Sequence, residues 1–300
     1  MSVTKKSVIE LRHPSGSRAQ VYLYGATVTS FHTAQEPERN VLFLSKNALL
    51  DGSKPIRGGI PLVFPVFGAA EGYPNHGFAR IYKWKLNQLD QTVDDDKSPV
   101  VATFSLDVSD DIKAMYPHDF ALMYEVSLYA NALTTSIHIQ NKSEEEISFQ
   151  ALLHTYLSVD DVRGGGVVVE GLKGLTYHDK VVAKEKIEHR DTLSFCQETD
   201  SVYANAPSPV FVRIKHANGK EQVVTIEKEV FITSSSSHVS QSSDVVVWNP
   251  WADKAKGMSD FGDEEYPTML CVEPGRVSEQ QKLLVGHTFT LQQAIKVSAL

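Results

Sequence analysis

Apolar and polar residues alternate in short runs along most of this chain, which is the spacing of strands that bury one face. Val21 and Leu23, then Val28 and Phe31, flank Gly25 and predict two short extended segments around a turn or bulge. The runs Val41–Leu44, Val100–Leu106, Ala121–Tyr129, Thr134–Gln140 and Ile147–Ser158 predict further strands, with an Asn-Lys-Ser-Glu turn from Asn141 to Glu144. Six more follow at Gly166–Val169, Val210–Ile214, Glu221–Ile226, Val245–Trp248, Thr268–Val272 and Thr288–Ile295. Helix signals are few. Asp110–Tyr116 has two aspartates at its start and Pro117 at its stop, and Trp251–Lys256 precedes Gly257.

Between Asp51 and Arg80, glycines and prolines interrupt every apolar stretch, so no regular helix runs there. Without repeated strand-plus-long-helix units, a doubly wound sheet is disfavoured. The expected class is all-β, a large antiparallel sandwich or barrel. No linker composition and no strict repeat divides the chain, so one domain over residues 1–300 is expected. In Ile147–Ser158 the period of two puts Phe149, Ala151, Leu153 and Thr155 on one face, and Gln150, Leu152, His154 and Tyr156 on the other.

Composition narrows the class of partner. Hydrophobic residues make up 42% of the 300-residue chain and charged residues 22%, as in packed proteins rather than disordered ones. The formal net charge of -8, with no run of basic residues, argues against nucleic acid. No apolar run approaches the ~20 residues that cross a bilayer, so no membrane partner is expected. Cys196 and Cys271 are the only cysteines, too few for a disulfide scaffold or a cysteine-rich zinc module. Both read as buried thiols in a reducing cytoplasm.

Four segments carry residues suited to chemistry. Arg57-Gly58-Gly59-Ile60-Pro61 joins a guanidinium fork, which suits carboxylate or phosphate oxygens, to two glycines that permit close approach; a surface arginine in a tight turn is the competing reading. Asn75-His76-Gly77-Phe78-Ala79-Arg80 supplies an amide, an imidazole and a second guanidinium, although Arg80 could equally serve a structural ion pair. His154-Thr155-Tyr156 places an imidazole and a phenol on one strand face. In Cys271-Val272-Glu273-Pro274-Gly275-Arg276, Glu273 follows an apolar strand and precedes a Pro-Gly pair expected to end it, which would fix a carboxylate at a cleft rim; alternatively Glu273 pairs with Arg276. Trp248-Asn249-Pro250-Trp251 offers an aromatic face, and Asp200 in Gln197-Glu198-Thr199-Asp200 could accept from hydroxyls or sit in a solvated turn.

Taken in order, DGSKPIRGGIPLVFPVF, NHGFAR, HTY, QETD, VVVWNPW and CVEPG resemble the characteristic stretches of the glucose-6-phosphate 1-epimerase branch of the aldose 1-epimerase family, over nearly the whole chain. The resemblance implies a large antiparallel β-sandwich of the galactose-mutarotase type. It implies His154 as catalytic acid, Glu273 as catalytic base, and Arg57, Asn75, Arg80 and Asp200 as substrate contacts. His76 matches the first of two histidines in the branch that handles unphosphorylated galactose, and joins the substrate-binding set. Asn75 is a shorter amide than the Gln that can stand there.

The expected reaction interconverts the α and β anomers of a hexose 6-phosphate. A base takes the O1 proton, an acid protonates the ring oxygen, and the opened aldehyde rotates before closing, which asks for one acid and one base on opposite sides of the ring. No cofactor or metal is expected, and the protein is expected to be a cytoplasmic monomer. The alternatives are a 1-epimerase of free sugars and a non-catalytic carbohydrate-binding protein.

Overall fold

The computed structural model describes residues 7–93, 95, 97–217 and 219–299. Among them the strands form three antiparallel sheets of three, eight and ten strands. The ten-stranded sheet is centred on the long pair Glu221–Thr233 and Thr288–Ala299, in register from Gln222 opposite Ala299 to Thr233 opposite Thr288. The eight-stranded sheet carries, side by side, Thr199–Tyr203, Asp244–Asn249, Met269–Leu283 and Ile147–Leu153. The all-β expectation holds, and both expected helices are present, at Asp110–Met115 with Ser109 as N-cap and at Trp251–Lys256. No helix among the described residues is long and apolar enough to cross a membrane.

The period of two explains why the strands around the site are apolar on both faces. Val245 and Val247 join Leu153, Leu270 and Val272 in the main core, which also holds Ile137, Leu291 and Ile295 of the ten-stranded sheet. Their neighbours Val246 and Trp248 turn the other way and form a second cluster with Leu152, Tyr156, Met269 and Cys271. Burying a side chain of this size contributes about 1.5–3 kcal/mol. The eight-stranded sheet is therefore held on both faces, and its outer one is firm enough to mount polar groups.

Several local expectations are corrected. Val41–Leu44 is not a regular strand: its bonds are divided among three neighbours, Val41 N–H donating to Phe31, Phe43 N–H to Tyr156 and Gly59 N–H to the Phe43 carbonyl, so only isolated bridges at Leu42 and Leu44 form. Asp200 lies in a strand, Thr199–Tyr203, rather than a solvated turn. Cys196 is exposed, whereas Cys271 is buried as expected.

Pro274-Gly275 does not end its strand, which runs from Met269 to Leu283. Instead, the neighbouring strand breaks. Ile147–Leu153 and Tyr156–Ser158 are separate elements, although Leu152 opposite Gly275 and Tyr156 opposite Cys271 keep one register. That register sets Leu153 across from Pro274, which has no N–H to give. The Leu153 carbonyl accepts from the Thr155 backbone N–H at 2.8 Å and the Thr155 hydroxyl at 3.1 Å. The interruption falls on His154 and Thr155.

Candidate active site

The same register puts His154 directly across from Glu273, and Glu273 is paired on its other side with Val246. The next row along that face runs Asp200, Trp248, Cys271, Tyr156. Residues two apart on a strand share a face, so backbone pairing alone gathers Asp200, Glu273 and His154 on the outer side of the eight-stranded sheet. A cleft of about 400 Å³ opens there, lined by Arg57, Asn75, His76, His154, Asp200 and Glu273, and by Phe67, Trp248, Lys180 and Lys254 among others. Of the residues that the resemblance assigns to catalysis or substrate contact, only Arg80 is not part of the lining. It adjoins it, donating from Nη2 to the Asn75 carbonyl at 2.7 Å.

His154 is held by packing. Its ring stacks on Tyr156 at 4.7 Å and 11°, and meets Trp248 and His76 edge-on at 5.9 and 5.5 Å. Its Nδ1 lies 3.4 Å from Glu273 Oε2, and neither atom has a hydrogen-bond partner. Both residues are buried, with His154 6% and Glu273 1% exposed. Burial lowers the His154 pKa well below the usual imidazole value, helped by His76, Arg80 and Arg57. Burial also raises the Glu273 pKa well above the carboxylate range, with Asp200 adding and Lys180 and Arg80 opposing. Each group is pushed towards its neutral form. The pair is side by side, not on opposite flanks of a ligand, which corrects the expected layout.

His76 sits at φ +65°, a conformation that non-glycine residues adopt rarely and at a cost. Its backbone N–H donates to Gly68 O at 2.8 Å, and its Nδ1 accepts from Gly68 N–H at 3.1 Å. Nδ1 therefore bears no proton, and the neutral ring keeps Nε2–H as its donor. Burial, then Arg80, Lys180 and Arg57, lower its pKa well below the usual imidazole value, in keeping with that neutral ring. Gly77 follows at φ +73°, where a Cβ would collide with the Phe64 carbonyl, so the turn that aims His76 requires glycine.

The guanidiniums differ in how they are compensated. Arg57 donates to the Tyr156 hydroxyl and to Asp260, both at 3.2 Å. Burial opposes its charge, but Tyr156 and Asp260 outweigh it and raise its pKa. Arg80, only 7% exposed, has no carboxylate within salt-bridge range among the described residues, and its Nε lacks a partner. Burial, with Arg57 adding, brings its pKa down to about 10. The alternative pairings drawn from sequence, Arg80 with an acid and Glu273 with Arg276, do not occur; Arg276 bonds Glu279, Ser242 and Asn205.

A family profile described as Aldose 1-epimerase matches residues 7–296. The chain belongs to the aldose 1-epimerase family. Two of its relatives are provisionally named glucose-6-phosphate 1-epimerase. One, from Cenchrus ciliaris, is 36% identical over 292 residues, covering 93% of this chain and 81% of the relative. The other, from Escherichia coli K12, is 33% identical over 294 residues, covering 97% and 90%. The crystal structure of a provisionally named mutarotase from Salmonella typhimurium superposes with a TM-score of 0.80 at 30% identity, covering 98% and 90%. Galactose 1-epimerase from Lactobacillus acidophilus shares the fold, with a TM-score of 0.70 at 12% identity and coverage of 97% and 94%. The chain is thus an isomerase of the mutarotase type on the galactose-mutarotase fold.

Within this aldose 1-epimerase, four residues at or beside the cleft escape sequence reading. Lys180 lies 3.7 Å from Asp200 and 4.4 Å from the Phe67 ring centre, and Lys254 lies 3.9 Å from Asp200 and 2.8 Å from Glu198. Burial raises the Asp200 pKa, and these two ammonium groups oppose it. Lys180 follows the short strand Thr176–Asp179, in which only Tyr177 is buried, so no apolar period announces it. Asp260 and Phe67 sit in irregular segments. Each reaches the site only through the tertiary fold, Lys180 from beyond a strand end, Lys254 from the short helix, and Asp260 and Phe67 from loops.

Proposed function

We propose that this aldose 1-epimerase interconverts the α and β anomers of hexose 6-phosphates, glucose 6-phosphate among them, with His154 and Glu273 as the acid–base pair. O1 and the ring oxygen are bonded to the same carbon, so adjacent acid and base groups can serve both. One group takes the O1 proton while the other protonates the ring oxygen; the C1–O5 bond breaks, the aldehyde turns, and the roles reverse on closure. The resemblance assigns the base to Glu273 and the acid to His154. His76 Nε2–H, Asn75 and Asp200 supply donors and acceptors for sugar hydroxyls, and Trp248 an apolar wall. A reducing cytoplasm, in which Cys196 and Cys271 stay free thiols, accords with this reading.

The observation that carries the phosphate is the buried Arg80 guanidinium without a carboxylate, near Arg57 with Asp260 as its single salt-bridge partner among the described residues. A buried cation lacking its counterion is costly, and a substrate dianion would offset that cost. Arg57→Ala or Arg80→Ala should lower kcat/KM for glucose 6-phosphate by about 10- to 100-fold, the value of one charge-assisted contact. Turnover of glucose should change little, and Lys at either position should rescue only in part, since it lacks the planar fork. Proton NMR of anomer exchange on both sugars measures this. Equal loss on both would show the arginines supporting the pocket, and would favour the free-sugar reading.

A further inference from the structure

Cys271 belongs to the same sheet face as the acid–base pair but has no part in sugar chemistry. Its thiol lies in the row between Trp248 and Tyr156, two residues before Glu273 on the same strand. His154, Cys271 and Glu273 each bring one metal-ligating atom within 4.8 Å of the other two, and all three residues are buried. His154 Nδ1 and Glu273 Oε2, 3.4 Å apart, have no hydrogen-bond partner.

We propose that His154 Nδ1, Cys271 Sγ and the Glu273 carboxylate form an inhibitory site for a thiophilic divalent cation, Zn2+ being the best fit. Imidazole, thiolate and carboxylate are the donors this ion takes, and three protein ligands with an open fourth position make a tetrahedral site. With Zn–N and Zn–O bonds of about 2.0–2.1 Å, tetrahedral geometry sets nitrogen and oxygen about 3.3 Å apart. The observed Nδ1–Oε2 separation is 3.4 Å. The sulfur edge is longer, about 3.5 Å, and Sγ reaches it by a side-chain adjustment. The cleft supplies the fourth position.

Binding exchanges protons for bonds: the Cys271 thiol and the Glu273 carboxyl, which burial holds towards its protonated form, each release a proton to solvent as thiolate and carboxylate bind the cation. Hard oxygen-seeking ions such as Mg2+ gain nothing from sulfur, so the site selects against them. Occupation removes both proton-transferring groups at once. Inhibition rests on the acid–base reading above, whereas metal binding does not.

The test uses the full chain, freed of metal with a chelator under reducing conditions. Calorimetry should find one Zn2+ bound per chain with high affinity and no comparable Mg2+ binding. Co2+ should give a thiolate-to-metal absorption band. Cys271→Ser and Cys271→Ala should abolish the band and weaken Zn2+ binding by more than about 100-fold, beyond the 10- to 100-fold loss usual for an outer-shell partner. Glu273→Gln provides an independent variant with the cysteine intact, and should weaken Zn2+ as well. Cys196→Ser should leave binding unchanged.

In anomer-exchange assays Zn2+ should inhibit over its binding range, a chelator should restore turnover, and Cys271→Ala should raise the inhibitory concentration by a similar factor. No tight Zn2+ binding, or binding that survives in folded Cys271 variants or disappears in Cys196→Ser, overturns the proposal. Tight binding by a chain that exchanges no sugar anomers upholds the site and rejects the catalytic reading instead.

Discussion

Replacing Glu273 by Gln separates the catalytic cost of the buried carboxylate from its structural cost. The amide keeps the side chain's shape beside His154 Nδ1, where the carboxylate oxygen lies 3.4 Å away without a hydrogen bond. It cannot exchange a proton on the reaction's timescale. A positioned acid or base accounts for about 10²–10⁴ in rate, or about 2.7–5.4 kcal/mol of barrier, so turnover should fall by at least ~10² with sugar-phosphate binding largely kept.

Stability should move in the opposite direction. Burial, and then Asp200, raise the Glu273 pKa above its unfolded value, so the folded state holds that proton more tightly. The resulting stabilisation is complete below the unfolded carboxylate value and is lost as pH rises through the raised folded one. Gln does not ionise, so its stability relative to wild type should improve from about pH 5 to about pH 8. Anomer exchange by NMR gives the rate, and urea unfolding at the two pH values gives the stability. A folded variant exchanging within ~10-fold of wild type would reject the base assignment. A relative stability that falls as pH rises would reject the burial argument.

His154→Asn should also lower turnover by at least ~10², and the residual activity should lose the acid-side pH dependence set by the lowered imidazole pKa; unchanged rates from acid to alkaline pH would remove His154 from the mechanism. Thr155→Val should cost about 1–3 kcal/mol in a urea melt, because the buried Gln293 Oε1 loses the Thr155 hydroxyl that donates to it at 2.9 Å. An unshifted midpoint would show that this carboxamide is satisfied another way.

The apolar runs Val245–Trp248 and Thr268–Val272 made the central strands legible, and the period of two within Ile147–Ser158 gave the shared face of His154 and Tyr156. Trp251–Lys256 was legible because Gly257 follows it. What escaped depends on partners distant in sequence. The break at His154 follows from Pro274 on the facing strand, and nothing within Ile147–Ser158 signals it. The Pro274-Gly275 pair reads as a strand end, yet a missing N–H harms one neighbour only; on the other side Pro274 still pairs with Val245, so the strand continues. The strands Thr176–Asp179 and Lys184–Ile187 are largely exposed and polar, and so lack the apolar period that marks a half-buried strand.

On the proposed reaction, the phosphate site and the acid–base pair are electrically joined. Arg57 and Arg80 both lower the His154 pKa, and Arg57 also donates to Tyr156, on whose ring His154 stacks. Without substrate, burial favours the microstate in which Glu273 holds the single proton and the imidazole is neutral; Arg57 and Arg80 add to this at His154, whereas Arg80 and Lys180 oppose it at Glu273. The alternative, carboxylate beside imidazolium, has the same net charge and the same proton count, so the two are states of one pair rather than separate titrations. A dianion seated on the guanidiniums would cancel part of the field that disfavours imidazolium. Both guanidiniums act on His154 but only Arg80 of the two on Glu273, so on this proposal the balance would shift towards ionised Glu273 as base and charged His154 as acid. The phosphate that orients C1 would in this way also set the protonation that ring opening needs, placing remote binding energy in the chemical step. Free glucose could enter the same cleft, but it carries no charge to shift that balance.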